Sequence, residues 1–169
     1  GQWATALQYH NGKFYLLFTT LDEGGYLLTT TDIEGEWEKK KLNDGFYDCG
    51  LLFDNDKIYV VYGINQLRIA ELDEDFNKIP GSDKDVVKWS FREGLEGSRL
   101  YKIGEYYYIY STYGGWPAFQ TVFRSKDIYG PYEEKKLIDD DNIHQGALVE
   151  TQTGEWWTML FYDKGAYGR

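Results

Sequence analysis

Aromatic and β-branched residues gather along this chain in short runs, each introduced by a polar turn that contains glycine or aspartate. His10-Asn11-Gly12-Lys13-Phe14-Tyr15-Leu16-Leu17-Phe18 and Asn55-Asp56-Lys57-Ile58-Tyr59-Val60-Val61-Tyr62 show the plan. Tyr101-Lys102-Ile103-Gly104-Glu105-Tyr106-Tyr107-Tyr108-Ile109-Tyr110 and Gln152-Thr153-Gly154-Glu155-Trp156-Trp157-Thr158-Met159-Leu160-Phe161 repeat it. The pattern predicts a tight turn followed by a β-strand at each place. Aligning Gly12, Asp56, Gly104 and Gly154 gives spacings of 44, 48 and 50 residues, a period at which a repeat decides the architecture. A second repeat runs beside the first. Asp32-Ile33-Glu34-Gly35-Glu36-Trp37-Glu38 returns as Asp127-Ile128-Tyr129-Gly130-Pro131-Tyr132-Glu133, 95 residues on, or about two periods.

Each unit reads as an inner strand, a Gly or Asp turn, a long strand, then a third strand and a polar hairpin leading to a fourth. That is the plan of a propeller blade. A β-sandwich also supplies many short strands, but it does not predict the return of Asp-Ile-x-Gly-x-aromatic-Glu at twice the blade period. The expected fold is therefore all-β, a propeller in a single partial domain over 1–169. Its blades start near Trp3, Tyr47, Glu96 and His144, and the last is incomplete because only two clear strands follow.

Composition agrees with a strand-rich chain. Aromatic residues make up 18%, with 16 Tyr, 9 Phe and 6 Trp, beside a single Met. The 18 Lys+Arg against 28 Asp+Glu leave a net charge of -10, which argues against nucleic acid or an anionic membrane as partner. No apolar run approaches the roughly 20 residues that span a bilayer, and Gly1-Gln2-Trp3-Ala4-Thr5 lacks the regions of a signal peptide. One cysteine, Cys49, forms no intramolecular disulfide and leaves the compartment open. Without a His or other base in a recognisable arrangement, it reads as a small buried hydrophobe.

Inner strands of a propeller converge on its central channel, so polar groups at the blade starts are where chemistry is sought. Asp48 and Glu96 occupy equivalent points of successive blades, each just before a small residue or Gly and an apolar strand. Two carboxyl groups facing one channel disfavour each other's ionisation, which is how a proton donor is kept protonated near neutral pH. The plainer alternative makes both of them solvated turn carboxylates among the 28 acids. The acidic run Asp73-Glu74-Asp75 and the basic runs Lys39-Lys40-Lys41 and Lys135-Lys136 read as solvated outer features.

The ordered set Asp48-Cys49-Gly50-Leu51-Leu52-Phe53-Asp54, Glu96-Gly97-Ser98-Arg99-Leu100-Tyr101, Arg124-Ser125-Lys126 with Gly130-Pro131-Tyr132-Glu133, and His144-Gln145-Gly146-Ala147-Leu148-Val149 with Gly154-Glu155-Trp156-Trp157 resembles glycoside hydrolase family 43. The resemblance runs from Trp3 to Arg169. It implies a five-bladed β-propeller, of which about three and a half blades are present. It further implies β-xylosidase or α-L-arabinofuranosidase activity on plant cell-wall saccharides, with inversion at the anomeric carbon. On this resemblance Glu96 is the general acid, and Asp48 is the carboxylate that raises the acid's pKa and orients it. An inverting enzyme also needs a carboxylate base across the sugar ring, about 6.5 to 9.5 Å from the acid. In the family that base is an Asp on the first blade. Trp3-Ala4-Thr5 is similar to the second blade, where Trp-Ala-Pro is usual, so the base is expected to be missing from this chain. Asp22, a conceivable substitute, lies in a Leu-Asp-Glu-Gly-Gly hairpin that faces solvent.

Trp3 either stacks on a sugar face or packs between blades. Trp116, on a Gly-rich loop, is a substrate-contact candidate. His144 resembles the family's channel histidine, implying a calcium ion held through water, while a hydrogen-bonded structural role is the alternative. Arg169 resembles the Arg of the family's Gly-Arg motif that approaches the carboxylates. No other cofactor is expected. A carbohydrate-binding propeller without catalysis and a protein-interaction scaffold are the competing functions, and unpaired blade edges predict self-association.

Overall fold

The computed structural model describes residues 1–91, 93–114, 118–138 and 143–162, with the backbone alone at 144, 161 and 162. Among them no helix is present, and so none is long and apolar enough to cross a membrane. Three sheets are four-stranded antiparallel meanders whose strand order follows the chain. The first comprises β1 (Ala6–His10), β2 (Lys13–Thr20), β3 (Gly24–Thr30) and β4 (Glu38–Lys41). The second comprises β5 (Gly50–Asp54), β6 (Lys57–Tyr62), β7 (Gln66–Leu72) and β8 (Lys84–Lys88). The third comprises β9 (Leu95–Ile103), β10 (Tyr106–Tyr113), β11 (Phe119–Ser125) and β12 (Glu133–Ile138). A fourth sheet pairs β13 (Ile143–Glu150) with β14 (Trp156–Tyr162). This is the expected propeller: each repeat is one blade, and β5 lies beside β1, β9 beside β5, and β13 beside β9.

The repeated turns set the register. His10 pairs with Lys13, and both residues between them, Asn11 and Gly12, have positive φ (48° and 80°). Asn55 and Asp56 do the same between Asp54 and Lys57 (48° and 60°). Such two-residue loops match the right-handed twist of the strands they join. Along each blade the edge strand is the polar one: every residue of β4 is exposed, as is most of β12, so the Lys runs lie on outer strands.

The core lies between blades. Leu17, Leu27 and Phe46 from the first meet Leu51, Val60 and Ala70 of the second. Val61, Leu67 and Ile69 on the other side of that sheet meet Leu100, Ile109 and Phe123 of the third. At the channel β5 and β9 approach so closely that a Cβ on Gly50 would lie 2.7 Å from Arg99 Cα and 2.8 Å from Leu100 N and Ser98 O. All three are backbone atoms, so nothing can swing aside. Gly50→Ala is expected to cost about 1–3 kcal/mol through overpacking. A lowered midpoint in urea unfolding is the readout, and an unchanged midpoint would contradict this packing.

One face of the fourth sheet packs on the third blade, where the Tyr110 hydroxyl meets Thr158 Oγ1 at 2.5 Å and Tyr101 meets the edge of Trp156. On the other face Val149, Trp157 and Met159 are half to three-quarters exposed, at 50%, 60% and 74%. An exposed apolar sheet face of this kind favours association. The 169-residue chain by itself is expected to self-associate. A monodisperse monomer in light scattering at high concentration would contradict this.

Candidate active site

The blade starts Trp3, Tyr47 and Asp48 lie just ahead of the ladders, while Glu96 lies inside β9, opposite Thr112 and next to a register shift between Tyr110 and Thr112. Asp48 is held in the left-handed region at φ 46°, which an Asp tolerates because its short side chain bonds locally. The residue is 7% exposed, and its carboxylate is engaged at both oxygens. The Ala4 N–H donates to Oδ1 at 3.0 Å and Gln145 Nε2 donates to Oδ2 at 3.4 Å. Three blades thus meet on one buried carboxylate, and solvated-turn behaviour is ruled out for Asp48 by its burial.

Glu96 is half-buried, and its contact with the second blade comes through Tyr47, whose hydroxyl donates to Oε2 at 2.7 Å. The start of β9 is pinned from behind. Asn65 Oδ1 accepts from the N–H groups of Gly94 and Leu95 (2.6 and 3.1 Å), and the Gly114 N–H donates to Gly94 O at 2.8 Å. Next in the chain, Gly97 takes φ 65°, and a Cβ there would strike the Gln145 amide at 2.6 Å. Only a glycine leaves Gln145 room to reach Asp48. Arg99 Nη1 donates to the carbonyls of Cys49 and Ser98, both at 2.9 Å, and so ties β5 to β9.

Burial first, then the hydrogen bond to Glu96 and the charges of Glu96 and Asp48, push the Tyr47 phenol far above its ordinary range. It stays protonated and acts as a donor. The same two carboxylates are therefore near enough to be felt by one hydroxyl. Burial pushes the Cys49 thiol up to about 12, and its Sγ donates to Leu17 O at 3.8 Å. As its sequence setting suggests, Cys49 is packing material.

Trp3 is half-buried with its ring centroid 4.7 Å from that of Tyr47 at 59°, so it braces the residue that holds Glu96. Backbone pairing places His144 opposite Phe161 in β13; its side chain lies outside what is described. Trp116 and Arg169 lie outside the described residues. No group of three or more His, Cys, Asp or Glu side chains among the described residues is placed to hold a metal. Two residues at this site escape sequence reasoning, Tyr47 and Gln145. They act through contacts 49 and 97 positions away, and only Tyr47 carries a signal, its place immediately before Asp48.

Asp48→Asn keeps an oxygen for the Ala4 N–H and tolerates the left-handed backbone, so stability should fall by no more than about 1 kcal/mol. Asp48→Ala orphans two donors and strains the backbone, with an expected loss of about 2–3 kcal/mol. Denaturant unfolding of the two variants checks the ordering, and equal losses would mean that the carboxylate's contacts are not stabilising.

A model described as Glycosyl hydrolases family 43 matches residues 1–169. Beta-xylosidase of Bacillus subtilis (strain 168) is 31% identical over 190 residues, covering 93% of this chain and 36% of that protein. The non-reducing end alpha-L-arabinofuranosidase BoGH43B of Bacteroides ovatus is 28% identical over 179 residues, covering 94% and 34%. Among solved structures, xylan beta-1,4-xylosidase from Bacillus halodurans C-125 superposes with a TM-score of 0.83 at 30% identity, covering 100% of this chain and 39% of that one. The chain spans about a third of the length of the curated relatives it matches.

Proposed function

Because this chain belongs to glycosyl hydrolases family 43, we propose that it carries the acid half of a glycoside hydrolase acting on xylose- or arabinose-containing plant saccharides with inversion. The observation that supports this most is the pair at the channel: a half-buried, hydrogen-bonded Glu96 beside a buried, doubly engaged Asp48. In this reading Glu96 gives its proton to the glycosidic oxygen as the bond to the anomeric carbon breaks and the bond's electron pair leaves with that oxygen. Water attacks the opposite face of the sugar and passes its proton to a carboxylate base. Asp48, engaged at both oxygens, is the second carboxylate of the site in this reading. Substrate class follows from the names of the relatives, beta-xylosidase and alpha-L-arabinofuranosidase.

The carboxylate base is a separate residue in this reading. Asp22 is unsuited to that role, being 87% exposed at the β2–β3 turn with the N-terminal amine 3.9 Å away. A base that is not in this stretch is also what would favour the second reading, in which sugars bind here without cleavage.

Hydrolysis of aryl β-xyloside and aryl α-L-arabinofuranoside separates the two. The 169-residue chain, a polypeptide extended at both ends, and the Glu96→Gln variant of the latter are compared. Activity is expected in the extended polypeptide alone, and for an unactivated glycoside Glu96→Gln should lower kcat by roughly 100- to 10,000-fold. Full activity of the variant on the unactivated glycoside would sink the acid assignment. Binding of xylo- or arabino-oligosaccharides with no turnover in any form would favour the non-catalytic reading.

A further inference from the structure

We propose that Tyr47 is the positioning residue of the acid, selecting Oε1 of Glu96 as the oxygen that carries and delivers the proton. This rests on the assignment of Glu96 as the acid. A protonated carboxyl group has two unlike oxygens: its carbonyl oxygen accepts a hydrogen bond well, and its hydroxyl oxygen is the donor. Tyr47 presents a hydroxyl 2.7 Å from Oε2, and among the described residues that oxygen is its hydrogen-bond partner. A donor fixed at Oε2 makes Oε2 the carbonyl oxygen and leaves the proton on Oε1.

Three observations keep this arrangement from being reversed. The phenol is held in its protonated form, first of all by burial. The ring is braced by Trp3 on one side and emerges from the residue before Asp48, whose carboxylate is itself held from two other blades. On the Oε1 side the neighbour is Gly114, where a Cβ would stand 2.8 Å from that oxygen. Oε1 thus faces the position that bears no side chain, while Oε2 faces a donor. The family resemblance gives orientation of the acid to Asp48. In this proposal Tyr47 adds the direction that selects Oε1.

Proton delivery matters most when the leaving group is a poor one, so the test separates leaving groups. The natural polypeptide containing residues 1–169 is assayed on glycosides of one sugar, xylose or arabinofuranose, with a dinitrophenyl or a methyl leaving group. Tyr47→Phe keeps the ring against Trp3 and removes only the hydroxyl. Its kcat on the methyl glycoside should fall roughly 10- to 100-fold, the loss expected for a hydrogen bond to a group that becomes charged as its proton leaves, and on the dinitrophenyl glycoside by no more than about threefold. A purely structural role would lower both alike, and either an equal loss or no loss overturns the proposal.

Glu96→Gln run in parallel distinguishes the failures. If it loses the methyl glycoside and Tyr47→Phe shows no split, only the role of Tyr47 falls. If Glu96→Gln hydrolyses the methyl glycoside normally, the acid assignment falls and this inference with it. A titration of 13C-labelled tyrosines, with Tyr47 assigned by its absence in Tyr47→Phe, needs no turnover. In Glu96→Gln the Tyr47 midpoint should move down, because a negative charge that opposed the phenolate is gone. An unmoved midpoint would overturn the contact on which the proposal stands.

Discussion

The close approach of the inner strands at the channel governs this structure. Sheets that fan out around an axis are crowded at their inner edge and spread at their outer one. The crowding shows at Gly50, whose missing side chain lets β5 lie against the backbone of β9. The spreading shows at the Lys-rich outer strands β4 and β12, which pack on little and face water. Everything at the candidate site follows from which residues are brought within hydrogen-bonding distance by that convergence.

The site accordingly belongs to no single blade. Asp48 precedes the second blade but is bonded to Ala4, ahead of the first, and to Gln145 in the fourth sheet. Glu96 opens the third blade and is held by Tyr47 from the second. Arg99, on the third, spends its guanidinium on a carbonyl of the second. Such contacts form only after the blades have docked, since each closes a chain segment of 44 to 97 residues. Blade packing and site geometry are therefore one cooperative property, and a change at a blade seam reaches the carboxylates without touching them.

That distinction also explains what the sequence discloses. Strands, turns and the blade repeat depend on neighbours within about fifty residues, and they leave periodic marks: Asn11-Gly12 and Asn55-Asp56 announce their hairpins, and the Asp-Ile-x-Gly motif announces its blade. Asp48 and Glu96 stand out because the repeat places them at matching points. Their partners do not. Nothing in the local pattern around Tyr47 says that its hydroxyl meets a carboxylate 49 positions on, or that Gln145 reaches across Gly97. For Trp3 the sequence leaves sugar contact and packing both open. Its ring lies on Tyr47 while part of it stays exposed, so the packing role is present and a free face remains.

The two carboxylates differ because their surroundings differ. Asp48 is buried beside the buried Cys49, and a carboxylate placed there is tolerated because donors meet both of its oxygens. Glu96 keeps partial exposure, and among the described residues Tyr47 is the donor to its Oε2. In the proposed roles, the acid that exchanges a proton with substrate is the more exposed carboxyl group, and its partner carboxylate is the one tied at both oxygens. The same fold satisfies both demands with one shift along the inner edge, from the buried turn before β5 to the mouth of β9.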